Sequence, residues 1–405
     1  MVNPFKYGRE VSGRQFYDRQ EAFDSLYAKL AGGSANVVMY APRRYGKTSL
    51  VKKVLARFSE EGVACIYFDM NRVETLERFC EAYASALYSL VGGAKGVAHA
   101  FADYLLHLHP TFSFGGEFPI SVKFDYGEKM NSVSLAEVLG MAEKIAVEHV
   151  HGPIIVAFDE FQEIRSLSPE LPLEGIFRGV IQEQQNVRYV FFGSKTHMLK
   201  RMFGEKSRPF YKSAATIKLG KPPEDQSRAF VAERFASCGI GVDAAEVSRI
   251  VEVSANIPYY LQELSSQVFD GVVSAGRDWV EPTDVDGAIE GLLAENADWY
   301  FEQLKRLPPS QRILVRALAA EPVREFPSDY RERHSLGVSS TVHTALARLI
   351  DAGIVESDTS SYYIGDPFFA RAILLPPGEV GRIGARAVCG IISTVDETIT
   401  KGVEK

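Results

Sequence analysis

The chain has 405 residues, 46% of them hydrophobic and 24% charged, and a formal net charge of -7. This is the composition of a globular protein with room for two or three domains. The acidic balance excludes a general attraction to nucleic acid or anionic lipid, and no apolar run reaches the ~20 residues that span a bilayer.

Taken in chain order, Met1-Val2-Asn3-Pro4-Phe5-Lys6 lacks the apolar core of a signal peptide, so a cytoplasmic protein with no membrane partner is expected. An acidic-apolar helical pattern runs over residues 19–30. Val37-Val38-Met39-Tyr40 is a short apolar strand, and Ala41-Pro42-Arg43-Arg44-Tyr45-Gly46-Lys47-Thr48 follows it directly. A helix is predicted over 49–57, a second strand over 63–69 and a helix over 75–91. Within the Gly- and aromatic-rich stretch 92–130, Ile120-Ser121-Val122-Lys123-Phe124 alternates like half of a hairpin. A helix over 135–149 precedes the strand Ile154-Ile155-Val156-Ala157-Phe158, which ends in Asp159-Glu160. The strand Tyr189-Val190-Phe191-Phe192 ends in Gly193-Ser194, and a final strand is predicted over 216–219. Apolar strands alternating with helices predict a parallel α/β sheet covered on both faces.

After residue 220 the strand signal fades. Residues 224–295 read as helices, broken near Gly239-Ile240-Gly241 and Asn256-Ile257-Pro258. Helical stretches over 310–320 and 339–352 precede two short β-type runs, Gly353-Ile354-Val355-Glu356 and Ser361-Tyr362-Tyr363-Ile364. Helix, helix, hairpin is a winged-helix pattern. The expected division is 1–220, 221–300, 301–380 and a tail over 381–405. Cys65, Cys80, Cys238 and Cys389 form no C-x-x-C pair and read as free thiols rather than a metal site.

Residues 41–48 are a phosphate-binding loop between a strand and a helix. Gly46 lets the backbone approach phosphate oxygens, and the loop from Pro42, with the N–H groups of Arg43, Arg44, Tyr45, Gly46, Lys47, Thr48 and Ser49, supplies an anion cradle. Lys47 reaches the β- and γ-phosphates, and Thr48 offers its hydroxyl to Mg²⁺. The first loop position is Ala41 where the consensus has glycine. Asp159, at a strand exit, is the expected partner of Mg²⁺, and Glu160 the group that orients or deprotonates water. Ser194 is either a sensor of the γ-phosphate and the attacking water or an ordinary loop start. Arg208 is placed either to reach a γ-phosphate, in cis or from a neighbour, or to pair with a surface acid. Arg43 and Arg44 either touch phosphate or a partner, or are simply solvated.

In the helix over 339–352, Val342, Ala345, Leu346 and Leu349 recur at helical spacing and are expected in the core. Thr341, His343, Thr344 and Arg348 then remain for solvent or DNA. Nine Lys/Arg offset nine Asp/Glu over 305–380, a poor electrostatic footprint for a duplex.

With these residues in hand, the chain resembles the prokaryotic P-loop ATPases of the archaeal-ATPase type, in the STAND branch of the AAA+-like ATPases and distantly similar to origin-recognition proteins. The resemblance rests on Asn3-Pro4-Phe5 with Arg19 and Glu21, on the loop, and on Phe158-Asp159-Glu160-Phe161-Gln162. Phe192-Gly193-Ser194, Ile257-Pro258-Tyr259-Tyr260-Leu261-Gln262 and Gly365-Asp366-Pro367-Phe368-Phe369 extend it. It implies a helical lid over 221–300, with Pro258 near the nucleotide and Val11 and Phe16 at the adenine. It also implies Mg²⁺ with ATP or ADP, and a protein partner or second copy. Some relatives carry Gly-Arg after the aromatic at Tyr211, where this chain has Lys212-Ser213. The expected function is a slow or partner-stimulated ATPase working as a switch. The alternatives are a nucleotide-regulated DNA-binding protein and an ADP-retaining scaffold.

Overall fold

The computed structural model describes residues 1–8, 19–33, 35–91, 110–114, 120–124, 131–358 and 360–375. Val11, Phe16 and the 381–405 tail lie outside them. The chain divides into two compact units, Arg19–Gly220 and Met1–Asp18 with Lys221–Lys405.

In the first unit the strands are β1 (Asn36–Tyr40), β2 (Ala64–Asp69), β3 (Pro110–Phe114), β4 (Ile120–Phe124), β5 (Ile154–Asp159), β6 (Val187–Gly193) and β7 (Ala214–Lys218). Five of them form one parallel sheet in the order β2-β5-β6-β1-β7. β5 is buried along its whole length, as a central strand covered on both faces must be. Its Phe158 lies parallel to Tyr189 and Phe191 of β6, with centroids 6.0 and 6.2 Å away. β3 and β4 pair antiparallel, completing the hairpin read from the alternation at 120–124. The helix after the phosphate loop runs Lys47–Glu60, so Lys47 and Thr48 are in its first turn rather than ahead of it. The helix expected over 135–149 begins earlier, at Ser132, because the Asn131 side chain accepts from the Val133 and Ser134 amides.

In the second unit, helices Glu224–Ala236, Ala244–Val253, Pro258–Ser274 and Pro282–Glu295 are followed by Ala297–Arg306. Helices Pro309–Ala320, Ser328–Arg333 and Ser339–Asp351 then precede a hairpin of β8 (Val355–Ser357) and β9 (Tyr362–Ile364). This is a winged helix, closed by the helix Pro367–Leu374. The helical and winged-helix parts form one unit. Tyr260 packs on Phe368 and Tyr300 on Phe369, with centroids 5.9 and 5.4 Å apart.

The stretch expected as a 1–220 core begins instead at Arg19, because the N-terminal residues are anchored elsewhere. The Asn3 amide donates to Ser266 Oγ and Asp270 Oδ1 of helix Pro258–Ser274, each at 2.9 Å. Phe5 is buried against Phe235, with centroids 5.0 Å apart, and the Lys6 amide donates to Gln262 Oε1 at 3.0 Å.

Candidate nucleotide site

The parallel sheet brings three strand ends together. Tyr40 pairs with Gly193, and Phe158 with Phe191, so the exits of β1, β5 and β6 are adjacent. Ligands of open α/β sheets bind at such carboxyl ends.

The loop leaving β1 needs left-handed backbone at two places. Arg44 has φ 69° and Gly46 φ 81°. Only glycine takes the second without a Cβ penalty, and nothing crowds a side chain there, so conformation rather than space sets the residue. No side chain caps the helix that follows, and the N–H groups of a helix's first turn have no intrahelical partner. Ala41 is buried and its methyl is accommodated. Lys47 is buried too, and its Nζ donates to the carbonyls of Ala41 (2.9 Å) and Pro42 (2.7 Å). The ammonium is thus folded over the loop it would serve.

Asp159 is 6% exposed. Its Oδ2 accepts from the Thr48 hydroxyl at 2.8 Å and the Tyr67 hydroxyl at 2.7 Å, and its Oδ1 accepts from the Glu160 amide at 2.9 Å. Burial pushes this carboxyl above the usual carboxylate range. The bonds from Tyr67 and Thr48 pull it back, the Glu160 charge adds to the rise and Lys47 opposes it. Thr48 and Asp159 stand side by side as hard oxygen donors, the kind a Mg²⁺ ion takes.

Glu160 takes a left-handed conformation, φ 51°, which costs a non-glycine residue about 1–2 kcal/mol. The next residue offsets the cost. Phe161 is fully buried against Phe191 (4.4 Å between centroids) and Phe210 (5.4 Å), and burial of a phenylalanine contributes about 2–3 kcal/mol. The turn so fixed carries the Glu160 carboxylate to Ser194. Its Oε2 accepts from the Ser194 amide (2.9 Å), the Ser194 hydroxyl (3.0 Å) and the Gln162 amide (2.5 Å). Arg43 Nε also donates to Ser194 Oγ at 3.2 Å. Ser194 is therefore part of the constellation rather than a bare loop start.

Arg208 stands apart. Its guanidinium pairs with Glu174, which is 9% exposed and also held by Arg165 at 3.6 Å. Burial raises the Glu174 carboxyl and the two arginines oppose that rise. Of the two readings of Arg208, the ion pair is the one present. Pro258 opens its helix at the first position, in the other unit. On the winged helix, Val342, Ala345, Leu346 and Leu349 are buried, and Thr341, His343, Thr344 and Arg348 are exposed.

Three contributors escaped the sequence reading of roles. Tyr67, on the β2 face opposite Phe68, reaches Asp159, and strand alternation was its only signal. Gln162 holds Glu160. Arg19, 8% exposed, donates to the Tyr45 carbonyl of the loop at 3.1 Å and to the Gly220 carbonyl at 2.6 Å. Among the described residues no group of three or more His, Cys, Asp or Glu could hold a metal, and no helix is long and apolar enough to cross a membrane.

No curated protein sequence matches the chain. A solved Walker-type ATPase of Pyrococcus abyssi is 19% identical, with a TM-score of 0.64 over 92% of this chain and 100% of that one. The ORC2 protein of Aeropyrum pernix, solved in ADPNP–ADP complexes, is 13% identical, with a TM-score of 0.56 over 97% of this chain and 98% of that one. At these identities they share the fold. A family described as "Probable winged helix domain" matches residues 298–374. The family described as "ATPase domain predominantly from Archaea" matches residues 16–264, through the loop, Asp159-Glu160 and Pro258, and the chain belongs to that ATPase family.

Proposed function

We propose that this chain binds ATP with Mg²⁺ at the carboxyl ends of β1, β5 and β6 and hydrolyses it slowly, as a molecular switch. The observation that carries the reading is the convergence of Lys47, Thr48, Asp159, Glu160 and Ser194 on those three strand ends. The loop N–H groups from residue 43 to Ser49 would cradle the phosphates, and Lys47 would exchange its two carbonyls for phosphate oxygens. Thr48 and Asp159 would hold Mg²⁺, Asp159 through water. Mg²⁺ keeps several waters and needs few protein ligands, which suits a pair of oxygens rather than a cage. When bound it neutralises phosphate charge. Glu160 would take a proton from water as the water oxygen bonds to the γ-phosphorus. The bond from that phosphorus to the β–γ bridging oxygen breaks, giving ADP and phosphate.

With Arg208 engaged by Glu174 and Lys212-Ser213 where some relatives carry Gly-Arg, no arginine is assigned to the transferring phosphate. Turnover by the isolated chain is expected on the order of 0.01 per second or below. The partner that a nucleotide-dependent change addresses would be a protein, a second copy or DNA. Direct duplex binding by Thr341, His343, Thr344 and Arg348 has less support, since they supply one arginine and 305–380 has no net charge.

The test is equilibrium ATP binding with and without Mg²⁺, phosphate release, and a mobility shift with duplex DNA at low salt. Mg²⁺-dependent binding with slow release is the expected result. Failure to bind ATP would overturn the reading, and bound ADP with no phosphate release would favour the scaffold.

Asp159→Asn gives a two-sided check. Turnover should fall at least about 100-fold, through loss of the ion's carboxylate. Stability should move the other way with pH. Because burial raises the folded carboxyl, its contribution is fully present below the unfolded value and is lost as pH rises through the folded value. Asparagine lacks that loss. Urea midpoints should therefore shift in favour of the variant, relative to the parent, as pH rises from about 4 to 8.

A further inference from the structure

We propose that Gln162 is a positioning residue for hydrolysis: its side-chain amide, seated over Gly193, fixes the Glu160 carboxylate so that Oε1 is left to accept the proton. The proposal rests on the hydrolytic reading above. Gln162 is 1% exposed. Its Nε2 lies 2.5 Å from Glu160 Oε2 and 3.2 Å from Glu163 Oε1, so the amide stands between two carboxylates. That settles which end is the NH₂, since the opposite orientation would set a carbonyl against both. Lys195 holds Glu163 Oε1 at 2.7 Å and so braces the far side.

The other end of the amide explains a glycine. Gln162 Oε1 is buried with no hydrogen-bond partner among the described residues. A methyl on Gly193 would overlap this atom and lie 3.1 Å from Glu160 Cα. Gly193 is not in the left-handed region, so space for the glutamine, rather than backbone freedom, calls for glycine here. A buried oxygen without a donor costs stability, and it is tolerated where the same amide does something else. That something is the third bond to Glu160 Oε2. With the Ser194 amide and hydroxyl, it brings three donors to one oxygen and, among the described residues, none to Oε1. A carboxylate so tethered presents one defined oxygen to water, and general-base catalysis depends on such placement.

The experiment compares the full-length parent with Q162A, Q162E, G193A and the Q162A/G193A double variant. It measures kcat, KM and equilibrium ATP affinity. Q162A should lose about 10- to 100-fold in kcat, the worth of a hydrogen bond to a charged group, with ATP affinity within about threefold of the parent. G193A should match it, and the double variant should fall no further than the worse single one, because both changes remove the same contact. Q162E fills the same volume but donates only when protonated. It sets a carboxylate against Glu160 Oε2 in place of the donor, so its kcat should fall at least as far as that of Q162A. Parental kcat in Q162A or Q162E, multiplicative effects in the double variant, or lost ATP binding in Q162A would each overturn the proposal. A parent that binds ATP and releases no phosphate would instead remove the hydrolytic reading, and this proposal with it, and that outcome shows before any variant is made.

Discussion

Glu160→Gln is expected to bind ATP as the parent does and to turn it over at least 100-fold more slowly, within the range of about 10² to 10⁴ that a general base contributes. The substitution keeps size and shape. The glutamine carbonyl can still accept from the Ser194 amide and hydroxyl that Glu160 now engages, so the turn and the left-handed backbone at residue 160 are retained. What is lost is the negative charge and the basic oxygen. Single-turnover phosphate release, set beside an equilibrium binding curve, separates the two effects. Undiminished turnover would remove Glu160 from the chemistry.

Lys47→Ala should abolish ATP binding at concentrations where the parent saturates. Removing one member of a buried, hydrogen-bonded charge pair costs about 2–5 kcal/mol, or roughly 30- to 4,000-fold in affinity. The change also reaches the protein without nucleotide. The Ala41 and Pro42 carbonyls lose the donor they share, and the loop should loosen. Faster amide exchange at residues 41 and 43–46 in the variant, alongside lost binding by calorimetry, is the expected pair of results. Unchanged affinity would contradict the phosphate-loop assignment.

Much of the first unit was legible because its strands are buried on both faces. Runs such as Ile154-Ile155-Val156-Ala157-Phe158 have no polar alternation to confuse with a helix face. The loop was legible because phosphate binding dictates residue type locally. Other features were hidden because they depend on partners distant in sequence. Asn3 finds Ser266 and Asp270 more than 260 positions away, so nothing near residue 1 announces that the N-terminus belongs with the helical unit. Glu174 decides the state of Arg208 from 34 residues upstream. Gln162 could be read as part of a motif, but its seat over Gly193 needs β6 beside β5. Tyr67 lies on the second face of an apolar strand, where a hydroxyl looks like any other aromatic position.

Arg19 is the first residue of the sheet-containing unit and Gly220 is the last. The chain therefore passes between its two units once on either side of this pair, and one guanidinium ties the Gly220 carbonyl to the Tyr45 carbonyl of the phosphate loop. In the language of linked equilibria, a nucleotide that shifts the loop and with it Arg19 would couple loop occupancy to the position of Gly220. Whatever free energy ATP spends in moving Gly220 through Arg19, a partner that moves Gly220 returns as an equal change in ATP affinity.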